Sequence, residues 1–598
     1  MKHFSFFPDL PPKKRRLLLI PALILILAAG IFLYRTLPPS SDPDSFFSRS
    51  LTSKSENEQF TAFTETLFRQ EVSSDTISLH YSLQNPEAYG ILDAPVTLGS
   101  FPSNPDSAAA SMENMLAALR RFSFDHLSEK NQLTYLALES YLKTNLECAP
   151  YLLYEEPLSP ITGIQAQLPV LLSEFSFQTT TDIDTYLALL STMQEYFTSL
   201  SEFEQAKSGA GLFMSDACAD QVIKECRDFV SLGDAHYLYT SFEERLDAID
   251  QLTDSERALY TSKNRDLIET QVFPAYESLA SSLEKCKGTG STQKGLCSLP
   301  EGKSCYEAIL KRETGSDRSV NELVKLASSQ IIQDMKELKQ ALPASGTAGE
   351  VILKDSSAES ILLDLKQQMS ASFPDIPDIP FSVKEVPLSM QDYLSPAFYL
   401  TPPIDNEKQN TIYINPKSTM EGLPLFTTLA HEGYPGHMYQ TTYFLSQDPP
   451  PLRSILDFGG YVEGWATYTE MISYYYAPIA KETSVIQQKN ASIILGLYAL
   501  ADIGIHYKGW SLEETDAFFS DYGITDQNAI SEIYQLILSD PANYPKYYFG
   551  YLEFLELKKE ALHLWGNEFT QKRFHKQVLD AGPVPFSILR EYVLHGNP

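Results

Sequence analysis

The sequence has little positive charge and lacks the cysteine pairs that commonly bind zinc. It contains 46 Lys and Arg residues against 77 Asp and Glu residues, which gives a formal net charge of -31 at pH 7. Because such a chain repels phosphates, we set nucleic acids aside as partners. No C-x-x-C pair occurs, which argues against a cysteine zinc site. No internal repeat is found.

The six cysteines leave two alternatives open. Cys286, Cys297 and Cys305 cluster in a segment rich in Gly, Ser and Lys. In an extracytoplasmic protein, a Cys286–Cys297 or a Cys297–Cys305 disulfide would close a loop in this segment. Free buried thiols are the other alternative.

The N-terminal residues differ from the rest of the chain. Residues 1–16 end in a basic cluster, and residues 17–37 contain an apolar run of 18 residues, "LLLIPALILILAAGIFLY". This length is just enough to cross a membrane, and the basic cluster should stay in the cytoplasm. We therefore predict a single-pass anchor in the cell membrane, a Ser/Pro-rich linker over 38–56 and an extracytoplasmic domain over 57–598. The alternative is a signal peptide cleaved after Ala28 and Ala29, which would release a secreted protein. No cysteine lies near this run, which argues against a lipoprotein anchor.

The remaining chain is long enough for a large core, and its pattern is mostly helical. Ser319 precedes an amphipathic segment and Glu322 follows three residues later, which is typical of a helix start. Strand-like alternation is scarce, and the clearest example is "NTIYINP", residues 410–416. A Pro- and Ser-rich stretch from about 340 to 400 should connect an N-terminal helical half to a C-terminal half. Six of the ten histidines lie in the C-terminal half.

The segment "HEGYPGH" contains His431, Glu432 and His437 at an unusual spacing. Zinc peptidase helices carry two histidines four residues apart, so that both imidazoles lie on one face. Here the second histidine comes two residues later, about 120° away on an ideal helix. Pro435 and Gly436 should break or bulge the helix, which would return His437 to the face of His431. The alternative is two ordinary histidines beside a helix kink.

A third ligand is available in "YVEGWATYTE", residues 461–470. Glu463 and Glu470 are seven residues apart and therefore share one helical face. Two carboxylates on an otherwise apolar face are costly to bury unless they serve a metal or a partner. His431, His437 and Glu463 would form the His2Glu set of catalytic zinc, with Glu432 beside it to deprotonate a water.

Several motifs together resemble a known family. They are "HEGYPGH", "VEGWATYTE", "DIGIHYKGWSLEE", "RFHKQVLDAGPVP" and "LPEGKSCYEAILKRETGS". In combination they resemble bacterial domain-of-unknown-function family 885, the HExxPGH group, which is placed among gluzincin-type metallopeptidases. The similarity should extend from about Gln59 to the C-terminus.

The resemblance implies a mainly α, two-lobed fold similar to the oligopeptidases and to angiotensin-converting enzyme. That fold has a deep central cleft and a small antiparallel sheet on one wall. It implies one Zn²⁺ per chain, bound by His431, His437 and Glu463, with Glu432 as general base. "IYINP" would be the edge strand that pairs with an extended peptide substrate, and Asn415 lies in its motif.

Other positions follow from the resemblance less directly. Tyr547 matches a Tyr-Gly pattern of the family and would donate to the oxyanion, with Tyr548 as its rival. His506 would line the cleft or hydrogen bond to a metal ligand, and Glu470 would do the same. His575 is expected to be a packed helix residue. Tyr498 and Lys558 stand where the family often has arginine, which points to a different specificity.

The sequence therefore predicts a membrane-anchored zinc peptidase that acts on short or unfolded peptides. One alternative is a peptide-binding protein that retains the fold without turnover. Another is a zinc hydrolase of non-peptide amides or esters. The sequence does not indicate an oligomeric state.

Overall fold

The computed structural model describes residues 55–596, apart from residues 103, 161–162, 248, 291–293, 344–356, 377, 387–390, 392–394, 407 and 419. The expected cytoplasmic segment, the expected anchor and most of the expected linker lie outside the described residues. Within the part that is described, no helix combines the length and the apolar character needed to cross a membrane.

The first half of the described chain is helical. Its α-helices, numbered in chain order, are α1 (Glu56–Val72), α2 (Thr76–Ser82), α3 (Pro105–Leu119), α4 (Glu129–Cys148), α5 (Ile164–Glu174), α6 (Thr180–Ser191), α7 (Met193–Gly209), α8 (Asp216–Ser231), α9 (Tyr237–Asp247), α10 (Asp254–Leu267), α11 (Phe273–Cys286), α12 (Gly302–Thr314) and α13 (Val320–Ala341). The predicted helix start at Ser319 is confirmed. The Ser319 hydroxyl accepts a hydrogen bond from the Glu322 N–H, and the Glu322 carboxylate accepts one from the Ser319 N–H at 2.9 Å.

The second half contains one helix, a small sheet and then more helices. The strands are β1 (Phe381–Glu385), β2 (Ala397–Leu400) and β3 (Asn410–Ile414). The helices are α14 (Ala358–Met369), α15 (Leu423–Glu432), α16 (His437–Ser446), α17 (Gly459–Ser473), α18 (Lys481–Ile503), α19 (Leu512–Asp521), α20 (Gln527–Ser539), α21 (Asn543–Trp565), α22 (Gln571–Ala581) and α23 (Phe586–His595). The prediction of a mainly helical chain with a small sheet is confirmed.

The sheet differs from the prediction in two respects. Its strand order is β1-β3-β2, with β1 parallel to β3 and β2 antiparallel to β3, so the sheet is mixed rather than antiparallel. The chain reverses between successive strands, and β3 enters the middle of the sheet, where it runs parallel to β1. The predicted edge strand, "IYINP", is therefore the central strand. Among the described strands, β1 and β2 are the edge strands.

Two hydrophobic cores meet at this sheet. The first combines side chains of α1, α3 and α4 with those of α12 and the C-terminal helices, and the second is built mainly from residues between 158 and 286. Tyr399 and Ile412 face the first core, whereas Phe398 and Tyr413 face the second, because successive strand residues point to opposite sides. These cores do not follow the halves that we expected on either side of 340–400, because the N-terminal helices α1, α3 and α4 share a core with the C-terminal helices.

The cysteines are not paired. All six lie among the described residues as free thiols, so neither the Cys286–Cys297 nor the Cys297–Cys305 disulfide is formed. Burial raises the pKa of Cys148 to about 11. A buried thiol with a raised pKa is a poor nucleophile and behaves as a small apolar side chain.

Helices α17 and α21 cross at unusually close range. The contact is made by Gly464 and Gly550, and a Cβ atom at Gly464 would lie 2.5 Å from both the Cα and the carbonyl carbon of Gly550. Only glycine at both positions permits this approach. The crossing matters for the site, because α17 carries Glu463 and α21 carries Tyr547.

We expect Gly464→Ala to destabilise the protein by about 2–3 kcal/mol, the upper part of the range for overpacked sites, because the obstructing atoms are backbone. Urea denaturation measures this change in the free energy of unfolding. Gly209→Ala is the matched control, since a methyl group added there would have no atom within 4 Å. An unchanged free energy of unfolding in Gly464→Ala would mean that the two helices separate without cost.

Candidate metal centre

The irregular "HEGYPGH" segment forms two helices rather than one. Helix α15 ends at Glu432, and α16 begins at His437. The chain turns so tightly between them that a Cβ atom on Gly436 would lie 1.8 Å from the carbonyl oxygen of His431. The Trp465 indole N–H donates to the Pro435 carbonyl oxygen at 2.9 Å and fixes this turn against α17. The break brings the two imidazole rings together, with centroids 4.8 Å apart.

Helix α17 places Glu463 against both histidines. Its Oε2 atom lies 3.6 Å from His431 Nε2 and 3.4 Å from His437 Nε2. Among the described residues, these three side chains form the group whose ligand atoms all lie within 4.8 Å of one another. Four ligands around a tetrahedral zinc, each about 2.0–2.2 Å from the ion, are roughly 3.3–3.6 Å apart. The observed separations fit that geometry.

The three converging atoms have no hydrogen-bond partner in the described structure. His431 Nε2, His437 Nε2 and Glu463 Oε2 are buried, and none has a hydrogen-bond partner there. Buried polar atoms are costly to leave unsatisfied, and most are paired in native proteins. Three unpaired donor atoms aimed at one point therefore fit a bound metal ion. Two imidazoles and one carboxylate are a donor set typical of catalytic zinc.

The charges at this point favour a cation. Burial alone would raise the pKa of Glu463, but the two imidazoles outweigh it and hold the pKa at about 2. Burial would lower the pKa of His431, but the neighbouring carboxylates of Glu463 and Glu470 outweigh it and raise the pKa to about 10. The pocket thus stabilises a positive charge, either a proton on His431 or a metal ion that replaces it.

Glu470 orients the first histidine. Its Oε2 atom lies 3.1 Å from His431 Nδ1, on the side of the ring opposite Nε2. A carboxylate that accepts from Nδ1–H leaves Nε2 as the free lone pair and fixes the ring, as outer partners of metal-bound histidines commonly do. Glu463 and Glu470, seven residues apart on α17, therefore lie beside the two different nitrogens of one imidazole, Glu463 near Nε2 and Glu470 near Nδ1.

Glu432 lies beside the group and contacts the sheet. Its Oε2 atom accepts a hydrogen bond from the backbone N–H of Tyr399 in β2 at 2.9 Å, while its Oε1 atom is buried and has no partner among the described residues. Burial raises the pKa of Glu432 to about 8. One oxygen of the carboxylate is thus fixed by a hydrogen bond, and the other has no partner among the described residues. No sequence motif indicated Tyr399, because its contribution is a backbone donor.

Tyr547 also reaches the site. Its ring centroid lies 6.4 Å from that of His431, and the side chain is 7% exposed. Burial, together with the nearby charges of Glu463 and Glu432, raises the pKa of Tyr547 well above its usual value. The phenol therefore keeps its proton and remains a hydrogen-bond donor.

Three other candidate residues lie elsewhere or have structural partners. Tyr548 packs against α18, where a Cβ atom on Gly496 would lie 2.6 Å from its ring. Asn415 closes the turn after β3, since its side-chain oxygen accepts from the Lys417 N–H at 3.0 Å, and its amide donates to the Gln391 carbonyl oxygen at 2.8 Å. His506 lies in a segment after α18, and its ring nitrogens contact the backbone at Leu296 and Ile537. None of these contacts involves the metal-centre group.

The positions flanking the site are packed. Both nitrogens of His575 have partners, the Ser372 carbonyl oxygen at 2.7 Å and the Tyr468 hydroxyl at 2.9 Å. Lys558 donates to the same Tyr468 hydroxyl at 2.9 Å, and Tyr498 is fully buried against Phe519 and Tyr544. The two positions that depart from the family pattern therefore contact the protein interior rather than the metal-centre group.

A family model matches most of the chain. The model described as "Bacterial protein of unknown function (DUF885)" matches residues 101–593. The chain belongs to the DUF885 family. The DUF885 match begins at 101, later than the Gln59 that we expected, and includes every residue of the candidate metal centre. No curated protein matches the chain.

Two solved structures are similar to this DUF885 protein. A candidate lipoprotein from Colwellia psychrerythraea is 20% identical with a TM-score of 0.77, over 91% of this chain and 99% of the other. A candidate lipoprotein of unknown function from Shewanella oneidensis is 17% identical with a TM-score of 0.61, over 90% of this chain and 100% of the other. At these identities the similarity concerns the fold.

Proposed function

We propose that this DUF885 protein is a zinc-dependent peptidase with a gluzincin-like site of the HExxPGH type. One observation carries the proposal: three buried ligand atoms without other partners lie within 4.8 Å of one another, with Glu463 Oε2 3.4–3.6 Å from both imidazole nitrogens, beside a glutamate with one oxygen that has no partner among the described residues. His431, His437 and Glu463 would hold one Zn²⁺. When bound, this ion would acidify a water molecule and polarise a carbonyl group.

Glu432 would carry the protons of the reaction. Its free Oε1 atom would accept a proton from the attacking water and pass it to the nitrogen of the leaving amine as the C–N bond breaks. The Tyr399 N–H, bound to Oε2, would keep the carboxylate in place during both transfers. Glu470 would hold His431 in the tautomer that leaves Nε2 unprotonated.

Tyr547 would stabilise negative charge on the substrate. Its phenol stays protonated next to two carboxylates, so it can donate to the oxygen of the scissile carbonyl as that oxygen becomes negative. Such donors are effective when they are already in place and shielded from water.

Strand β2, rather than β3, is the candidate for backbone recognition of a peptide. It is an edge strand next to α15, and the Tyr399 N–H points away from β3 toward Glu432. Because the Tyr399 N–H is used by Glu432, an extended peptide would pair with the remaining backbone groups of this edge and lie alongside the metal centre. A two-lobed fold with a deep cleft, as in the oligopeptidases, would restrict access to short or unfolded peptides.

The proposal also covers the location of the protein in the cell. The apolar run at residues 17–37 would anchor the protein in the cell membrane and leave the peptidase domain outside the cytoplasm. The similar structures come from candidate lipoproteins, a class held at membranes through a lipid. This chain has no cysteine near the run, so its anchor would be the peptide segment itself.

The proposal is tested on the purified full chain by elemental mass spectrometry and a library of short peptides. We expect about one zinc per chain, cleavage of peptides, loss of cleavage after chelation and its return when zinc is added back. Metal binding without cleavage of peptides, amides or esters would favour a binding protein. Cleavage of simple esters or non-peptide amides alone would favour the other hydrolase alternative.

A further inference from the structure

Asp502 connects two sequence motifs that contribute no metal ligand. It lies near the end of α18, in "DIGIHYKGWSLEE", and is fully buried. Its Oδ1 atom accepts a hydrogen bond at 2.6 Å from the hydroxyl of Tyr306, which lies in α12, in "LPEGKSCYEAILKRETGS". The same Oδ1 atom accepts a hydrogen bond from the Ala542 N–H at 3.1 Å. One carboxyl oxygen therefore joins α18, α12 and the residue that precedes α21.

Ala542 adopts a backbone conformation that has to be held in place. It is the residue immediately before α21, is fully buried and has a φ of 65°. In this left-handed region a Cβ atom crowds the following carbonyl oxygen, so alanine rarely adopts it. Such a conformation persists where the surrounding structure fixes it. Asp502 satisfies the buried N–H of Ala542 and so fixes the point at which α21 begins.

The start of α21 sets the place of Tyr547. Tyr547 follows Ala542 by five residues, about 7.5 Å along the helix axis. Three residues after Tyr547, the close crossing of Gly550 with Gly464 fixes α21 against α17. Tyr547 thus lies between two fixed points, the hydrogen bond to Asp502 and the glycine crossing. Without the first, the opening turns of α21 would be free to shift about the crossing, and the phenol would move relative to the metal centre.

The Asp502 side chain has the chemistry of a neutral acid. Burial raises the pKa of Asp502 well above its usual value and outweighs the hydrogen bonds from Tyr306 and Ala542, which lower it. Its Oδ2 atom is buried and has no hydrogen-bond partner among the described residues, which is less costly for an acid than for a carboxylate. Asparagine offers the same acceptor oxygen, with an amide in place of the acid O–H. Both partners of Oδ1 lie outside the metal-centre group, so Asp502 can act on the reaction only through position.

We propose that Asp502, together with Tyr306, is a positioning residue for Tyr547. By fixing the residue before α21, the pair holds the phenol where it can donate to the oxyanion beside the metal centre. The inference rests on the proposed peptidase function and adds to it the residues that place the oxyanion donor. It also gives a role to two motifs that the metal centre leaves unused.

The first measurement is kcat and KM for a cleaved peptide on the zinc-loaded full chain. Asp502→Ala removes the acceptor, and we expect kcat to fall about 10²-fold, the cost of misplacing a catalytic group by about 1 Å. KM should stay within about twofold, because Tyr547 would act in the transition state. Asp502→Asn keeps the acceptor and should stay within about threefold of wild type. Asp521→Ala, at an exposed aspartate in α19, is the matched control and should leave kcat unchanged.

A double-mutant comparison separates positioning from a general loss of stability. In a Tyr547→Phe background the oxyanion donor is already absent, so Asp502→Ala should change kcat by less than about threefold. An equal fall of kcat in both backgrounds would overturn the proposal, and so would an unchanged kcat when Tyr547 is present. If Asp502→Ala does not fold, Tyr306→Phe takes its place, because it removes only the hydroxyl that bonds to Asp502. The same two criteria then apply.

Crystal structures separate this inference from the proposed function. If the wild type cleaves peptides, the kinetic comparison decides, and a negative result leaves the peptidase intact. If the zinc-loaded wild type cleaves nothing, the peptidase is rejected, and crystal structures of the wild type and the same variants decide instead. A Tyr547 hydroxyl displaced by about 1 Å or more in Asp502→Ala, but not in Asp521→Ala, would support the positioning role. A Tyr547 side chain that stays in place in every variant would overturn it.

Discussion

Replacing Glu432 with glutamine should lower peptide hydrolysis by about 10²–10⁴-fold, the range of a general acid–base contribution, while about one zinc per chain is retained. The side chain is isosteric, and its amide oxygen can still accept the hydrogen bond from the Tyr399 N–H, so β2 should stay in place. What is lost is the basic oxygen that takes the proton. Zinc should remain, because the three converging ligand atoms belong to other residues.

The measurement is kcat/KM on a cleaved peptide together with zinc content and peptide affinity. Glu482→Gln is the matched control, since Glu482 is exposed at the start of α18. Affinity for the peptide should change little, because the substitution removes a proton acceptor rather than a binding surface. Hydrolysis within a few-fold of wild type would mean that Glu432 is not the base. Loss of zinc from Glu432→Gln would mean that it helps to hold the metal.

The sequence predicted the parts of the site that depend on local chemistry. Residue type and helical spacing identify His431, Glu463 and Glu470, because a helix repeats its faces every three to four residues. The Pro-Gly pair predicted that the helix breaks before His437, since proline removes a backbone donor and glycine relaxes the chain. The helix start at Ser319 is equally local.

The sequence could not predict the features that depend on tertiary pairing. Strand β2 is four residues long, so its place at the edge of the sheet has no periodic signal. Tyr399 contacts Glu432 through its backbone N–H, a group that every residue except proline has. Asn415 and His506 have the right chemistry for a site, but their hydrogen bonds go to nearby backbone.

Removing one imidazole should remove the metal. His437→Ala leaves two of the three converging ligands, and we expect zinc content to fall from about one per chain to less than about a tenth. Glu470→Gln should have a smaller effect, a 10–100-fold weaker zinc affinity, because it removes only the orienting partner of His431. A larger loss of zinc in His437→Ala than in Glu470→Gln is specific to the proposed roles, since neither substitution would affect a metal bound elsewhere.

Stability provides a second readout that does not depend on turnover. Zinc at 100 times its dissociation constant should stabilise the wild type by about 2.7 kcal/mol, whereas His437→Ala should melt at the same temperature with and without zinc. His575→Ala is the matched control, because it removes an equally buried imidazole whose two nitrogens bond to Ser372 and Tyr468 rather than to the site. That variant should melt lower than wild type yet keep its zinc and its zinc-dependent shift. If His437→Ala keeps one zinc per chain, the three converging side chains are not the metal site, and their unpaired atoms would need another partner.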